Sequence, residues 1–368
     1  MTRQFRVVDA GLREGRFNIA LDQAMLELHQ AGEIPDSIRF IHFLPVALVG
    51  RHQELSKEID LDYCRKHGIA VGRRITGGGA IYLDPGQLGW ELVFRRGSLG
   101  GATLAEVARE ICEAAAAGLS RLGIEARFRP RNDIEVGGRK LSGTGGFYDE
   151  DTFIYQGTVL IDLDPAAMLG ALRIPRAKIA KRGLDSAAQR VVTLRELLGG
   201  VAPPVTAVEQ ALLDGFSERF GLTFERAALS VAEEQLARTL FESQIGREEF
   251  VAEIDAPANA ADVRVGEHVS AGGTITSYVR CEGARDARIA QVLITGDFFV
   301  APARVVLDLE SALKGSEVAL LGQTIDRFFA AHPMGTLSVS AADFRSSLEA
   351  ALGLDARTGV GHRNSPVP

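Results

Sequence analysis

The spacing of hydrophobic and polar positions along the chain alternates between a helical period and a strand-like one. A first helix is predicted where apolar residues recur on one helical face, with Asn18 as its N-terminal cap. The residues on that face are Leu21, Met25 and Leu28. The apolar run from Ile38 to Val49 then predicts a strand, and Ser56 to His67 predicts a short helix.

Later helix starts are marked by Ser or Thr followed by Glu at the spacing of a capping box. These pairs are Thr103 with Glu106, Thr193 with Glu196, Thr206 with Glu209, and Ser230 with Glu233. The first pair opens a helix that is predicted to continue to Leu122 and to end at Gly123. Asp164 before Pro165 marks a further start, because proline is favoured in the first turn of a helix.

Two strand-rich segments, Ile69 to Phe94 and Ile124 to Leu163, separate the first helices from the later ones, which predicts an α+β fold. A small second unit is predicted beyond these helices. Its elements are strands over Gly272 to Val279 and Ile289 to Phe299 and helices over Val305 to Leu313 and Ala341 to Leu352. We therefore predict a first domain over residues 1–245 with a helical extension at about 200–250, a second over 256–352, and a flexible tail over 353–368.

The composition is that of an ordinary globular protein, with 46% hydrophobic and 24% charged residues in 368. A net charge of -7 argues against general binding of nucleic acid or anionic membranes, because such binding needs an excess of Lys and Arg. No segment approaches the roughly 18 uninterrupted apolar residues that span a bilayer, and the first residues lack the apolar core of a secretion signal. We expect a cytoplasmic protein that binds neither nucleic acid nor membrane.

Cysteine and histidine do not form a disulfide or metal pattern. The three cysteines, Cys64, Cys112 and Cys281, are odd in number and widely spaced. The seven histidines do not cluster at ligand spacing with a cysteine or carboxylate. A structural zinc site and a disulfide framework are therefore not expected.

A first segment with candidate chemistry reads Arg-Arg-Ile-Thr-Gly-Gly-Gly-Ala-Ile-Tyr over residues 73–82. Consecutive glycines let backbone N–H groups converge on one point, and the two arginines supply the charge that an anion needs. It is not a Walker loop, because no Gly-Lys-Ser/Thr follows and a β-hairpin closed at Asp84-Pro85-Gly86 is predicted instead of a helix. Taken alone, the glycine run is also typical of a flexible turn.

A second segment, residues 132–143, is predicted to form a hairpin closed by Gly137-Gly138. The register predicted from that turn pairs Val136 with Arg139, Glu135 with Lys140, and Asp133 with Ser142. Lys140 would then lie on a strand face among carboxylates and a hydroxyl. Taken alone, the hairpin is more typical of a solvated face that carries a Glu135–Lys140 pair.

The two segments together closely resemble the lipoate-protein ligase family, of the biotin and lipoate ligase fold. The shared strings are Arg-Arg-x-Thr-Gly-Gly-Gly-Ala and, about sixty residues later, Asn-Asp-x-x-Val-x-Gly-Arg-Lys-x-Ser-Gly. Residues 17–20, 45–51 and 155–160 are also family-like, so the resemblance covers about residues 15–200. It implies a class II synthetase-like domain, with a mixed or antiparallel sheet flanked by helices, and a small α/β accessory domain that contains Ile294 to Phe299.

The resemblance implies an ATP-dependent ligase that uses Mg²⁺, activates lipoate or octanoate as an acyl-adenylate and transfers the acyl group to a carrier lysine. It implies that Lys140 is the catalytic residue, which bridges the acyl carbonyl and the phosphate, and that Asp133 is the metal ligand. The positions implied to contact ATP or lipoyl-AMP are Arg74, Thr76, Gly77, Gly78, Gly79, Ala80, Ile81, Tyr82, Asn132, Asp133, Ser142, Gly157, Thr158, Lys178 and Gly183. Among them, Thr76 to Gly78 are implied to shape a lipoyl tunnel, and Lys178 to Gly183 to form a loop that closes over the nucleotide. Gln156 departs from the family, because many members have histidine there.

The implied partner is a lipoyl carrier domain, and the glycine-cleavage H protein, a dehydrogenase E2 subunit and a lipoate-binding protein of sulfur metabolism all remain open. A monomer is expected. One alternative is an octanoyl or lipoyl transferase, which needs an activated thiol. The only cysteine between Arg73 and Leu163 is Cys112, in the pattern of a buried helix face. A non-catalytic lipoyl-adenylate binding protein is a second alternative, and a biotin ligase is disfavoured because its arginine-glycine string is missing.

Overall fold

The computed structural model describes residues 3–101, 103–173, 190–257, 262–270, 272–337 and 339–354. The strands are β1 Arg3–Arg13, β2 Ser37–Phe43, β3 Val46–Val49, β4 Ala70–Arg73, β5 Ile81–Leu83, β6 Gln87–Arg95, β7 Arg127–Arg129, β8 Asp133–Val136, β9 Arg139–Asp149, β10 Thr152–Leu160, β11 Leu222–Ala227, β12 Arg264–Ser270, β13 Gly273–Glu282, β14 Arg288–Gly296, β15 Val300–Ala301 and β16 Gly335–Thr336. The α-helices are α1 Gly15–Gln30, α2 Leu55–Glu58, α3 Leu61–Lys66, α4 Leu104–Ser120, α5 Pro165–Ala171, α6 Leu194–Leu197, α7 Val205–Phe220, α8 Val231–Leu240, α9 Glu248–Val251, α10 Val305–Leu313, α11 Leu321–Ala331 and α12 Ala341–Leu352. A π-helical segment, Phe241–Ile245, follows α8.

An eight-stranded sheet in the order β11-β1-β2-β6-β10-β9-β8-β7 organises the first part of the chain. Strand β1 runs parallel to both β11 and β2, whereas the remaining neighbours are antiparallel. Strand β6 is buried along almost its whole length, because it lies inside the sheet with packed side chains on both faces. This mixed sheet flanked by helices confirms the predicted α+β class.

Helices α4 and α7 cover one face of the large sheet. The indole of Trp90 on β6 packs edge-on against the ring of Phe216 on α7, with 5.5 Å between ring centroids. The two helices approach closely at Gly118 and Gly215, where an added Cβ would lie 2.2 Å and 2.3 Å from a backbone oxygen of the opposite helix. Larger side chains there would separate the helices, so glycine is required by packing.

Helix α1 and a small three-stranded sheet, β4-β3-β5, lie on the opposite face of the large sheet. Strand β3 alternates between two environments: Val46 and Leu48 join the main core, whereas Ala47 and Val49 join a smaller one around α2 and α3. Residues of both sheets line one cavity, which therefore lies between them.

The last part of the chain has a hydrophobic core of its own. The antiparallel sheet β12-β13-β14 packs against α10 and α12, and Phe298 and Phe344 meet edge to face in that core at 5.2 Å. This unit also contacts the first part directly, because the ring of Phe298 stacks on His52 at 5.2 Å. The domain limits given above remain predictions, whereas α10 and α12 coincide with the predicted helices.

Several local predictions were wrong, and each has a physical reason. Asn18 does not cap α1, because Glu14 accepts the first backbone N–H groups and Asn18 lies buried inside the helix. Helix α7 begins after Pro204, so Thr206 is not its cap. Helix α4 ends at Ser120 instead of continuing to Leu122. The predicted strand over Ile38–Val49 is broken by Leu44-Pro45, and its two halves join different sheets.

The turn at Asp84-Pro85-Gly86 is present, but the predicted hairpin is not. Strand β5 pairs with β3 and β6 pairs with β2 and β10, so the turn leads from one sheet to the other. The segment Ser56–His67 likewise forms two short helices, the second capped by Asp60. The capping boxes at Thr103 and Ser230 and the cap at Asp164 are confirmed.

Within the described residues, no helix combines the length and the apolar character that crossing a membrane requires.

Candidate functional site

A cavity of about 320 Å³ opens between the two sheets. It is lined from α1, from the glycine loop between β4 and β5, from strands β2, β6, β9 and β10, and from the last unit. The lining residues that matter here are Asp22, Arg74, Thr76, Gly77, Gly79, Ala80, Ile81, Tyr82, Gln87, Asn132, Lys140, Gly143, Thr144, Gly145, Gln156, Gly157, Thr158, Val191 and Phe299. The structure thus brings most of the predicted site residues to a single cavity.

The two adjacent arginines of the glycine loop have different positions. Arg74 lines the cavity and donates to the carbonyl oxygens of Gly77 and Gly79 at 3.0 and 2.9 Å, which fixes the shape of the loop. Burial lowers the pKa of Arg74 to about 10, although Asp22 opposes that change. Arg73 points away and donates to backbone carbonyls of Gly50, Arg51, Gln53, Phe250, Val251 and Ile254. Of the two predicted cations, Arg74 therefore lines the cavity and Arg73 does not.

The ring of Phe299 fills the space beside the Cα of Gly78, the middle glycine of the loop. Gly78 has a φ of +92°, and an added Cβ would lie 2.3 Å from Cζ of Phe299. Its N–H donates to the carbonyl of Phe298 at 3.0 Å. Gly79, in contrast, has only Asp297 Cβ near an added Cβ, at 4.0 Å. Gly77 and Gly79 are therefore the loop glycines that line the cavity, whereas a ligand contact at Gly78 stays a prediction.

The hairpin of β8 and β9 carries Lys140 but has a bulge that the turn does not reveal. Val136 pairs with Arg139 and Glu135 with Lys140, as predicted, but Asp133 pairs with Gly143, because the register shifts between Ile134 and Glu135. Ser142 consequently pairs with Ile134, is fully buried, and does not line the cavity. Its predicted position opposite Asp133 is wrong.

The amine of Lys140 is held at the cavity by Asp133. Lys140 Nζ lies 2.8 Å from Asp133 Oδ1, and an added Cβ at Gly143 would lie 2.6 Å from the same nitrogen. The amine therefore rests on the bare backbone of Gly143. Burial would raise the pKa of Asp133, but Lys140 and then Arg129 outweigh it and hold that pKa below its usual value. The partner of Glu135 is Arg129, at 3.1 Å.

Both backbone polar groups of Lys140 are hydrogen-bonded. Its N–H donates to the carbonyl of Arg190 at 2.7 Å, and its carbonyl accepts from Val192 at 2.9 Å. Residues 174–189, which include Lys178 and Gly183, lie outside the described residues. The predicted closing loop is thus joined in sequence to a segment that is hydrogen-bonded to Lys140.

Asp133 does not fit a protein-held magnesium site. Its two oxygens are engaged by Lys140 at 2.8 Å and by Arg129 at 2.5 Å, and the residue is absent from the cavity lining. Magnesium bound with a nucleotide usually takes one or two carboxylates and several phosphate oxygens. We therefore derive no step through a metal held by Asp133.

Asn132 and Thr144 join the hairpin to the interior. Asn132 donates its side-chain amide to the carbonyl of Thr144, and the Thr144 hydroxyl and N–H donate to the carbonyl of Asn132 at 2.9 and 2.8 Å. Behind Thr144 lies Cys112, whose Sγ is 3.2 Å from the Thr144 hydroxyl and 3.4 Å from that of Tyr155. Burial raises the pKa of Cys112 to about 11, so its thiol stays protonated at neutral pH.

A buried polar network lies at another side of the cavity. Arg39 is fully buried between Asp22 and Glu91, and it lies 3.3 Å from Glu91. Gln156 donates to the other oxygen of Glu91 at 2.5 Å. Because Asp22 and Gln156 also line the cavity, this network supplies polar groups to a mostly apolar wall.

Sequence reasoning missed several cavity residues, of which Gln87, Asp22 and Phe299 are the most informative. Gln87 is almost fully buried, and its Nε2 has no hydrogen-bond partner in the described part of the chain. Its only signal was its place directly after the Asp84-Pro85-Gly86 turn. Asp22 lay hidden on the polar side of a predicted helix, and Phe299 gave no signal because it comes from the last unit.

Comparison with known proteins agrees with this geometry. The model of the lipoyl protein ligase A/B catalytic domain matches residues 14–217. The octanoyltransferase LipM of Symbiobacterium thermophilum is 31% identical over 271 residues, which cover 67% of this chain and 97% of that protein. A solved bi-partite lipoate protein ligase of Thermoplasma acidophilum, described with its E2 lipoyl domain, has a TM-score of 0.60 and 26% identity over 70% of this chain and 98% of its own.

A further solved structure is a lipoate-protein ligase A bound with ATP. It has a TM-score of 0.60 and 27% identity and covers 68% of this chain and 99% of its own. The likeness confirms the predicted class II synthetase-like fold, and the family model spans more than half of the 368 residues. The chain therefore belongs to the lipoyl protein ligase A/B catalytic domain family, whose members here include both lipoate ligases and octanoyltransferases.

Proposed function

We propose that the protein is an ATP-dependent lipoate-protein ligase. It activates lipoate or octanoate as an acyl-adenylate and passes the acyl group to a lysine of a lipoyl carrier domain. The observation that carries the proposal is that Lys140 and the glycine loop line one cavity in which no described lining residue is a cysteine. A solved relative bound with ATP and another described with an E2 lipoyl domain support the nucleotide and the carrier.

The first step joins the acid to the nucleotide. A carboxylate oxygen attacks the α-phosphorus of ATP, a new P–O bond forms, and pyrophosphate leaves with the electrons of the broken bond. Two unit charges 4 Å apart repel by about 4 kcal/mol at an effective dielectric near 20. The fixed ammonium of Lys140 offsets this repulsion, because Asp133 engages the amine from one side and leaves its other hydrogens for the cavity.

The second step transfers the acyl group. The neutral amine of the carrier lysine attacks the acyl carbon, AMP leaves with the electrons of the acyl–oxygen bond, and the amide nitrogen loses a proton to solvent. Lys140 stabilises the negative charge that develops on the acyl oxygen. No enzyme nucleophile is needed, because the anhydride is already activated.

The nucleotide and the acyl chain need different walls, and the cavity offers both. Gly77, Gly79 and Ala80 line the same cavity as Lys140 and offer backbone to a phosphate, and the Nε2 of Gln87, which has no partner among the described residues, offers a donor to an adenine nitrogen. The apolar lining from Ile19, Ile41, Phe43 and Leu48 suits a saturated acyl chain.

An octanoyltransferase is the second candidate, because a relative that is 31% identical carries that name. Transfer without ATP requires a thiolate to hold the acyl group. Cys112 lies behind Thr144 with a raised pKa, and the pKa of Cys64 is also raised to about 11, first by burial and then by Asp60. Because neither of these two thiols forms a thiolate readily, their environments favour the ligase over the transferase.

The deciding experiment measures the intact mass of carrier domains after incubation with the protein. One arm contains lipoate, ATP and magnesium; a second omits ATP; a third supplies octanoyl carrier protein without ATP. The acceptors are an E2 lipoyl domain, a glycine-cleavage H protein and a lipoate-binding protein. Acylation in the first arm alone supports the ligase, whereas acylation in the third arm without ATP would overturn it in favour of the transferase.

A further inference from the structure

The ring of Phe299 enters the cavity from the last unit of the chain. It lies between two glycines of the first part: an added Cβ at Gly78 would be 2.3 Å from its Cζ, and one at Gly145 would be 2.1 Å from its Cε1. All three atoms nearest to such a Cβ at Gly145 belong to this ring. The absence of side chains at both glycines is what leaves room for the ring.

The loop that carries Phe299 is fixed on both sides. The N–H of Gly296 donates to the carbonyl of His52 at 2.9 Å, and the carbonyl of Phe298 accepts from Gly78 at 3.0 Å. The side chain of Phe298 points the other way, into the core of the last unit, and its ring also stacks on His52 of the first part. Successive residues of this extended segment thus anchor the loop and project Phe299 into the cavity.

The ring of Phe299 and the amine of Lys140 cover alternate residues of β9. Lys140 Nζ rests on Gly143, and the ring rests on Gly145. Alternate residues of a strand face the same side at a spacing of about 7 Å. An acyl carbonyl that accepts a hydrogen bond from Lys140 is therefore a neighbour of the Phe299 ring.

Resting on the proposed function, we propose that Phe299 shields the acyl-adenylate from water. Without a cover, water attacks the acyl carbon, the acyl–oxygen bond breaks, AMP leaves with its electrons, and the proton of the attacking water passes to solvent. The activated acid would be lost before a carrier arrives. An aromatic ring without polar atoms excludes water from this point and offers it no hydrogen bond.

The test measures AMP release without a carrier, with octanoate, ATP and magnesium, beside acid-dependent exchange of pyrophosphate into ATP. Phe299→Ala should raise the ratio of carrier-free AMP release to pyrophosphate exchange at least about tenfold. Phe299→Leu should keep that ratio within about threefold of the ratio in the unmodified protein, because leucine retains an apolar cover. Leu320→Ala, at an exposed position of the same unit, is the control and should change neither.

A double variant separates shielding from a general loss of structure. Gly145→Ala should displace the ring and raise AMP release in the same way, but it should add nothing in a Phe299→Ala background, where the space is free. Additive effects would overturn the inference. So would an unchanged AMP release in Phe299→Ala, or a loss of exchange without any rise in release. Absence of acid-dependent exchange in the unmodified protein would instead refute the proposed ligase, and the shield with it.

Discussion

The amine of Lys140 lies 2.8 Å from Asp133 Oδ1, and this ion pair holds the amine on the bare backbone of Gly143. A lysine side chain has many rotamers, so fixing its amine at the cavity wall costs conformational entropy that the ion pair offsets. The same carboxylate also binds Arg129, which keeps it ionised and in place. The pair therefore presents a fixed positive charge to the cavity.

Lys140→Ala should reduce acid-dependent pyrophosphate exchange by at least about 10²-fold, which is the scale for removing one transition-state stabiliser. The side chain of Lys140 is 37% exposed, so the melting temperature should change little. Lys66→Ala, at an exposed position on α3, is the matched control and should exchange normally. Near-normal exchange in Lys140→Ala would refute the assigned role.

Helix caps could be predicted from the sequence where a few neighbouring residues determine the structure. The cap at Thr103 was predicted because its hydroxyl needs only a residue three positions later. Asn18 was predicted as a cap because asparagine precedes an apolar helical pattern there, yet it is buried and donates to the carbonyl of His42 at 3.0 Å. A side chain that finds a tertiary partner no longer serves as a cap, and no local pattern reveals that partner.

The candidate site shows the same division. Lys140 and the glycine loop could be predicted because their motifs lie within short segments. The position of Ser142 could not, because one extra residue in β9 reverses its direction and the turn alone does not reveal it. Phe299 could not be predicted either, since it reaches the cavity through contacts between segments more than 150 residues apart in sequence.

Cys112 tests whether a thioester is needed. Cys112→Ser should keep ATP-dependent carrier lipoylation within about threefold, because serine can retain the hydrogen bonds to Thr144 and Tyr155 and the proposed route uses no thiol. Intact mass of the carrier over time gives the rate. Cys64→Ser is the matched control at a second buried cysteine. Loss of acyl transfer in Cys112→Ser alone, with an unchanged melting temperature, would establish the thiol as the acyl carrier.

The adjacent glycines 78 and 79 should respond differently to the same substitution. Gly78→Ala adds a Cβ at a φ of +92° and 2.3 Å from the Phe299 ring, so it should lower the free energy of unfolding by at least about 1 kcal/mol. Gly79→Ala meets nothing closer than 4.0 Å, so stability should hold. Because Gly79 lines the cavity, the same change should raise the KM for ATP. Denaturant titration and exchange kinetics measure the two effects, and equal losses of stability would contradict this account.

Glu91 should make the stability of the fold depend on pH. Burial raises the pKa of this carboxyl to about 8, against the opposing charge of Arg39, which it shares with Asp22. In the unfolded chain the pKa returns to about 4.3. Between these values the folded protein holds a proton that the unfolded chain has released, so the free energy of unfolding falls as pH rises through this window. The contribution of one proton is at most about 1.4 kcal/mol per pH unit.

Glu91→Gln removes the ionisable group, so its free energy of unfolding should lack this decline. Urea titrations between pH 5 and pH 8 should show the variant gaining stability relative to the unmodified protein as pH rises. Only the unmodified protein must take up a proton at this position when it folds, and that uptake becomes less favourable at higher pH. Glu125→Gln, at an exposed position, is the control and should follow the unmodified protein. Parallel curves for Glu91→Gln and the unmodified protein would show that Glu91 is already ionised in the fold, with Arg39 compensating its charge fully.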